Sequence, residues 1–220
     1  MKYYAVRRGR EPGIYGSWTE CQAQIFKFSG AVFKSFDDLE AAQEYIDRDQ
    51  DGHQVNAALP FAYIDGSFSA ARGVYGYGGF LSIGDNRHII QGIGNNPKYL
   101  PDRNIAGECL GALQVMHAAR KYGIEEINLF FDYAGIENWA AGYWKARTPL
   151  ARYYSDTADL MAAWLHVHYC KIDGHTGIVG NEMADLLAKE AVGAQLTKKE
   201  VATLDAFRRG EIVADPSGRR

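Results

Sequence analysis

The sequence predicts an α/β protein: a five-stranded mixed sheet with helices packed on it, preceded by a smaller α/β module. Three observations carry this. Residues 60–94 hold three strand-like stretches split by turn residues. From residue 104, amphipathic helical runs alternate with apolar strand runs, which calls for a sheet mixing antiparallel and parallel neighbours. Residues 1–46 form a separate strand-and-helix pattern, closed by a polar stretch without apolar periodicity.

At 220 residues the chain is long enough to bury one full core and a second small module. Hydrophobic content of 47% and charged content of 23% are ordinary for a globular protein. A net charge of −3 does not mark a binder of polyanions, so any basic surface must come from uneven distribution. Cys21, Cys109 and Cys170 have no metal-type spacing, and an odd count suits a reducing compartment. With no apolar signal region at Met1-Lys2-Tyr3-Tyr4 and no run of membrane-spanning length, a soluble cytoplasmic protein is expected.

In the first module (1–46), Lys2 to Arg7 alternates as a strand, and Arg8-Gly9-Arg10-Glu11-Pro12-Gly13 reads as a turn. Ser17-Trp18-Thr19-Glu20 has capping character before a helical run from Cys21 to Phe28. Ala31 to Phe36 is a further strand, and Asp37 or Asp38 caps a helix bearing Leu39, Ala42, Tyr45 and Ile46. Through residue 35 there are six Lys and Arg against two acids, interleaved with Tyr3, Tyr4, Trp18, Phe26, Phe28 and Phe33. Cations meeting phosphates and aromatic faces resting on sugars or bases are the ingredients of a nucleic-acid surface. Most aromatics in so small a module must nevertheless be core. Residues 47–57 read as a flexible, locally acidic linker.

The second module (58–193) starts with the strand Pro60–Phe68. Strands at Gly73–Ile83 and His88–Gly94 follow, with Gly84-Asp85-Asn86 as a hairpin turn. Asn104 is expected to cap a helix that runs to Tyr122 and stops at Gly123. A strand at Glu126–Phe131, helices at 134–143 and 149–160, and a strand at Leu165–Ile172 complete the pattern. The tail, 194–220, offers a helix at Thr197–Phe207 and a frayed Asp215-Pro216-Ser217-Gly218. It is expected to be a packing or disordered extension.

Four acids stand where acids are unwelcome without a partner. Asp65 lies inside an apolar strand, and Glu108 sits on the inward stripe of its helix between Gly107 and Gly111. Asp132 ends a buried strand, where open α/β sheets put their sites. Asp185 follows Gly174-His175-Thr176-Gly177 and Asn181-Glu182 by one helical turn, so Asn181 and Asp185 share a face. Asn181 and Glu182 read as caps holding that helix start. Taken singly, each acid could be a cap, a turn residue or an ion-pair partner. Clustered carboxylates repel unless hard divalent cations sit among them, and paired Mg²⁺ ions serve phosphodiester hydrolysis. A mobile histidine such as His175 suits proton transfer beside them.

Tyr4-Ala5-Val6-Arg7-Arg8-Gly9-Arg10, Gly13, Trp18, Cys21 and Phe33-Lys34 with Phe36 resemble the hybrid-binding domain at the N-terminus of many type 1 ribonucleases H, also found in caulimovirus viroplasmins. The resemblance implies that Tyr4 and Trp18 contact a DNA strand, helped by Lys34, with Arg7 and Arg8 in the same basic set. Ser35 stands where the family often has a second lysine. Ile64-Asp65-Gly66-Ser67, Asn104 with Glu108, Phe131-Asp132, and the Gly174 to Asp185 motif resemble, in the family's order, a type 1 ribonuclease H. That implies a ribonuclease H-like fold in which Asp65, Glu108, Asp132 and Asp185 bind two Mg²⁺ ions, with Mn²⁺ as a substitute. His175 would assist proton transfer or product release, and Ser67 and Asn104 would touch the substrate. Tyr133 replaces the serine or threonine many members carry, and the segment at Trp144, Lys145 and Arg147 is short beside the basic protrusion of some relatives. Trp144 and Lys145 could still hold the DNA strand.

The implied function is endoribonucleolytic cleavage of the RNA strand of RNA–DNA hybrids, leaving 5′-phosphate and 3′-hydroxyl ends. The protein would act as a monomer without a membrane partner and bind double-stranded RNA only weakly. The rivals are a non-catalytic hybrid-binding protein on a nuclease fold and another nuclease of this fold acting on DNA.

Overall fold

Alternating apolar and polar residues give β1 (Tyr3–Arg8), the centre of a three-stranded antiparallel sheet of order β2-β1-β3. Its neighbours are β2 (Gly13–Tyr15) and β3 (Val32–Phe36). The three-residue β2 falls within the stretch where the sequence shows no strand, because so short a segment has no periodicity to display. In this computed structural model, residues 2–28, 31–51, 55–174 and 177–217 are described, and the chain divides into two units, Met1–Gln54 and Val55–Arg220. Helix α1 (Trp18–Ile25) starts earlier than the apolar pattern implies, since Ser17 and Glu20 form a reciprocal capping box. Helix α2 (Leu39–Asp51) begins where Asp38 Oδ2 accepts the Ala41 amide at 2.9 Å. It continues to Asp51, into the segment expected to be a flexible linker. Ala42 and Tyr45 are buried and anchor it, and nothing in the polar run that follows forbids helix.

The second unit is a five-stranded sheet of order β6-β5-β4-β7-β8. β4 (Phe61–Ser69), β5 (Val74–Ile83) and β6 (Asn86–Gly94) form an antiparallel meander, and β7 (Glu126–Phe131) and β8 (His166–Lys171) add in parallel. The β5–β6 hairpin turns on Gly84 and Asp85, with Gly84 at φ 55. A short 3₁₀ turn, Leu100–Asp102, precedes α3 (Arg103–Lys121), whose N-cap position is Asp102. Asn104 is therefore inside the first turn and is not the cap. At the other end Gly123, at φ 68, stops the chain as expected. Helix α4 (Gly135–Ala140) is shorter than its pattern, and α5 (Pro149–Ala162) begins where Thr148 Oγ1 accepts the Ala151 amide.

Both faces of the sheet are covered. Ala62, Ile64, Ile127, Leu129 and Phe131 pack with α3 and α5 residues on one side. On the other, Tyr63, Phe80 and Phe130 pack against α6 (Val179–Ala191) and α7 (Lys198–Arg208). This is why β4 and β7 read as nearly continuous apolar runs. The Tyr63 and Phe130 rings stack at 4.4 Å.

The tail is part of this core. Thr197 and Glu200 form a second capping box, and Leu204 and Phe207 are buried. The Arg87 guanidinium lies 3.8 Å above the Phe207 ring, donating to the carbonyls of Phe207 and Ile212 at 2.6 and 3.1 Å. Tyr63 donates its hydroxyl to the Asp215 carbonyl at 2.8 Å, and Asp215 Oδ1 accepts the Ser217 amide. Of the stretch expected to fray, Asp215 to Ser217 is thus held by side chains, and Gly218 lies outside the described residues. No helix among the described residues is long and apolar enough to cross a membrane.

Candidate active site

Glycines set the depth of the site. A Cβ on Gly66 would strike the Asn104 carbonyl and the Glu108 amide, and one on Gly107 would strike the Gly76 carbonyl. Helix α3 therefore rests backbone to backbone on β4 and β5, and Glu108 reaches the strand that carries Asp65. Asp132 comes from the residue after β7. One carboxylate oxygen from each of Asp65, Glu108 and Asp132 lies within 4.8 Å of the others. Asp185, on α6, stands outside that three-carboxylate group, and its charge adds a smaller push on Asp65.

The environment of each acid differs. Glu108 is 1% exposed and accepts the backbone amides of Asp132 and Tyr133 at 3.3 and 3.1 Å. Burial, then the Asp132 and Asp65 charges, hold its carboxyl well above the usual range, against the pull of those amides. Burial and then Asp132 push Asp65 up to about 7, although Oδ1 accepts the Gly66 amide at 2.6 Å. Gly174 lies against Asp132: a Cβ there would come 2.7 Å from Oδ2. Asp185 accepts from Lys189 Nζ at 2.6 Å, an i,i+4 pair that raises the Lys189 pKa. Lys189 was not among the residues singled out from sequence, although its spacing from Asp185 was the available signal.

Hard oxygen donors that converge and repel one another fit a divalent cation, which would remove the pressure to take up protons. His175 and Thr176 lie outside the described residues. Asn181 and Glu182 are not caps. The N-cap position of α6 is Ile178, and Asn181 is buried in the first turn, its Oδ1 without a hydrogen-bond partner among the described residues. Ser67 is half-buried on β4, two residues past Asp65 and on the same face, while Asn104 is exposed at the start of α3. Trp144 is 40% exposed with its ring beside Trp139 and Tyr133, and Lys145 is exposed.

In the first unit, Trp18 lies between Tyr4 and Phe33, at 5.7 Å from each ring, and both Trp18 and Phe33 are exposed. Strand register explains the grouping, because Tyr4 pairs with Ser35 and Val6 with Phe33, placing Tyr4 and Phe33 on one face. Phe33, one of the aromatics the sequence interleaves with cations, belongs to this surface. The basic residues of the two strands differ in exposure, Arg7 being buried and Lys34 half-buried. Arg7 is buried, its guanidinium 5.0 Å from the Tyr45 ring, so it faces α2 and is no surface cation. Lys34 pairs with Ala5, on the face away from Tyr4, with its ammonium 5.4 Å from the Phe36 ring. Arg8 is exposed.

The sheet order, with α3 and α6 flanking β4 and an acidic cluster at the end of β7, defines the class: a ribonuclease H-like fold. Residues 2–46 match the family described as the ribonuclease H1 N-terminal domain. The chain is 26% identical to human ribonuclease H1 over 254 aligned positions, covering 86% of this chain and 88% of that one. A ribonuclease H of Saccharomyces cerevisiae is 46% identical over 44 residues, 20% of this chain and 13% of that one. The crystal structure of LC11-RNase H1 in complex with an RNA/DNA hybrid shares the fold, at a TM-score of 0.50 and 17% identity over 61% of this chain and 96% of that one. The chain is thus similar to ribonucleases H1 in both parts and in their order. The group of Asp65, Glu108 and Asp132 offers ligand atoms that could hold a metal ion.

Proposed function

We propose that this protein cleaves the RNA strand of RNA–DNA hybrids endonucleolytically, using two divalent cations held by Asp65, Glu108, Asp132 and Asp185, and leaves 5′-phosphate and 3′-hydroxyl ends. The observation that carries the reading is the meeting of three carboxylates within 4.8 Å on a chain that also has a ribonuclease H1 N-terminal domain. Bound Mg²⁺, or Mn²⁺ in its place, would supply an activated water and stabilise the leaving oxygen.

The residues divide the remaining work. Glu108, fixed by two backbone amides, gives the site a rigid floor. Asp65 and Asp132 flank it, and Lys189 orients Asp185. His175 moves a proton or helps release the product phosphate, and Ser67 and Asn104 touch the substrate backbone. Trp144 and Lys145 hold the DNA strand from the segment after α4. Trp18, Tyr4 and Phe33 offer aromatic faces to the hybrid, and Arg8 offers charge. A protein can separate RNA from DNA at such a site by reading the 2′-hydroxyls. Three free, buried cysteines fit a reducing cytoplasm.

The test is incubation of labelled RNA–DNA hybrid, duplex RNA and duplex DNA with the protein, with Mg²⁺, with Mn²⁺ and with chelator. Hybrid cleavage that stops in chelator, and falls more than about 100-fold in Asp132→Asn while hybrid binding persists, is expected. Binding without cleavage by the parent protein would leave only a hybrid-binding module, and preferential cutting of duplex DNA would assign a different nuclease.

A further inference from the structure

A second group of metal-ligating side chains stands at the opposite end of β7. Glu126 opens that strand, and Asp132 follows its last residue. At about 3.3 Å per residue the two ends are about 20 Å apart, so this group is separate from the carboxylate centre. Glu126 pairs in register with His166 on β8, and His168 lies two residues further along. Residues i and i+2 of a strand share a face, so all three side chains leave the sheet on the same side. Ligand atoms from Glu126, His166 and His168 all lie within 4.8 Å of one another.

We propose that Glu126, His166 and His168 form a binding site for a divalent transition metal of the zinc class. Two imidazoles and one carboxylate are a donor set that Zn²⁺ takes, and imidazole nitrogen favours such ions over Mg²⁺. His168 Nε2 and Glu126 Oε1 are 2.6 Å apart, a hydrogen-bonded pair. That hydrogen bond accounts for two of the residues and leaves the third unexplained. The His166 ring stands nearly perpendicular to His168, with centroids 4.6 Å apart and an interplanar angle of 83°. Zinc bonds of about 2.0–2.2 Å in a tetrahedron put ligand atoms about 3.3 Å apart, so the bonded pair would open slightly and His166 would close by rotation.

The backbone needs no change, because hydrogen-bonded pairing of β7 and β8 already fixes the three Cα positions. Glu126 and His166 are exposed, giving the ion an entry path and leaving a fourth position for water. β8 is an edge strand of the sheet, and the bound ion would clip it to its only neighbour.

The experiment is calorimetric titration of the full-length, tag-free protein with Zn²⁺ in excess Mg²⁺, with thermal denaturation as a second readout. One Zn²⁺ per chain is expected, and His168→Ala and His166→Gln should each weaken its binding at least about tenfold. Asp65→Asn, altered at the distant carboxylate centre, should retain it. Zn²⁺ should raise the melting temperature of the parent and of Asp65→Asn, but not of the two histidine variants. Absence of Zn²⁺ binding by the parent, or equal binding by parent and histidine variants that melt like it without metal, would overturn the proposal.

Discussion

Replacing Asp65 with Asn should remove activity yet make the metal-free protein more stable. Burial and the neighbouring Asp132 charge lift Asp65 from 3.8 to about 7, while a backbone amide contact to Oδ1 is one an Asn oxygen can keep. A folded-state pKa above the unfolded value means that the protonated carboxyl favours the fold. That contribution is complete below the unfolded pKa of 3.8 and is lost as pH rises through about 7. At about 1.4 kcal/mol per unit, the shift corresponds to a penalty of about 4 kcal/mol when Asp65 ionises without metal. Part of it is shared with Asp132 and Asp185, whose charges relax when Asp65 is neutral, so a gain of about 1–3 kcal/mol is expected. Urea unfolding in chelator at about pH 5 and about pH 8 measures it. The variant should exceed the parent at the higher pH, exceed it by a clearly smaller margin at the lower, and gain less from added Mg²⁺. Equal stability at the higher pH without metal would refute the electrostatic account of the cluster.

Two further changes probe other parts. Trp18→Ala, in a catalytically silent Asp132→Asn background, should weaken hybrid binding by about 1–3 kcal/mol in a fluorescence anisotropy titration; with active protein, cleavage at saturating hybrid should hold, and unchanged affinity would remove the aromatic surface from hybrid recognition. Phe207→Ala should cost about 3–5 kcal/mol in chemical unfolding, because it empties a fully buried site under the Arg87 guanidinium; a loss below about 1 kcal/mol would mean that the tail contributes little to the core.

The elements of the second unit were legible because their periodicities are strong and their stops are explicit, as at Gly123 and Gly84. Asp65, Glu108 and Asp132 stood out from the sequence because a carboxylate inside an apolar pattern needs a reason, and the structure brings them together. Three kinds of information were hidden. Helix starts set by local hydrogen bonds moved: Ser17 with Glu20 placed α1 early, while Asn104 and Asn181 proved to lie inside helices. The facing of basic residues on β1 and β3 depends on register, so Arg7 looked like a surface cation until its burial against Tyr45 was known. The docking of α7 depends on Tyr63, Phe80 and Arg87, whose partners lie more than a hundred residues away in the chain.

That last distance has a consequence for how the molecule is made. The contact from Tyr63 to Asp215 spans 152 residues, whereas every pairing of the first unit lies within residues 1–54. During synthesis the first unit can close while the second still lacks its final helix. Until residues beyond 200 emerge, the aromatic layer of Tyr63, Phe80 and Phe130 has no Phe207 to complete it. The second unit is therefore the slower of the two to fold, as expected where contacts far apart in sequence must form. A nascent chain would thus hold a folded first unit before the core of the second is complete.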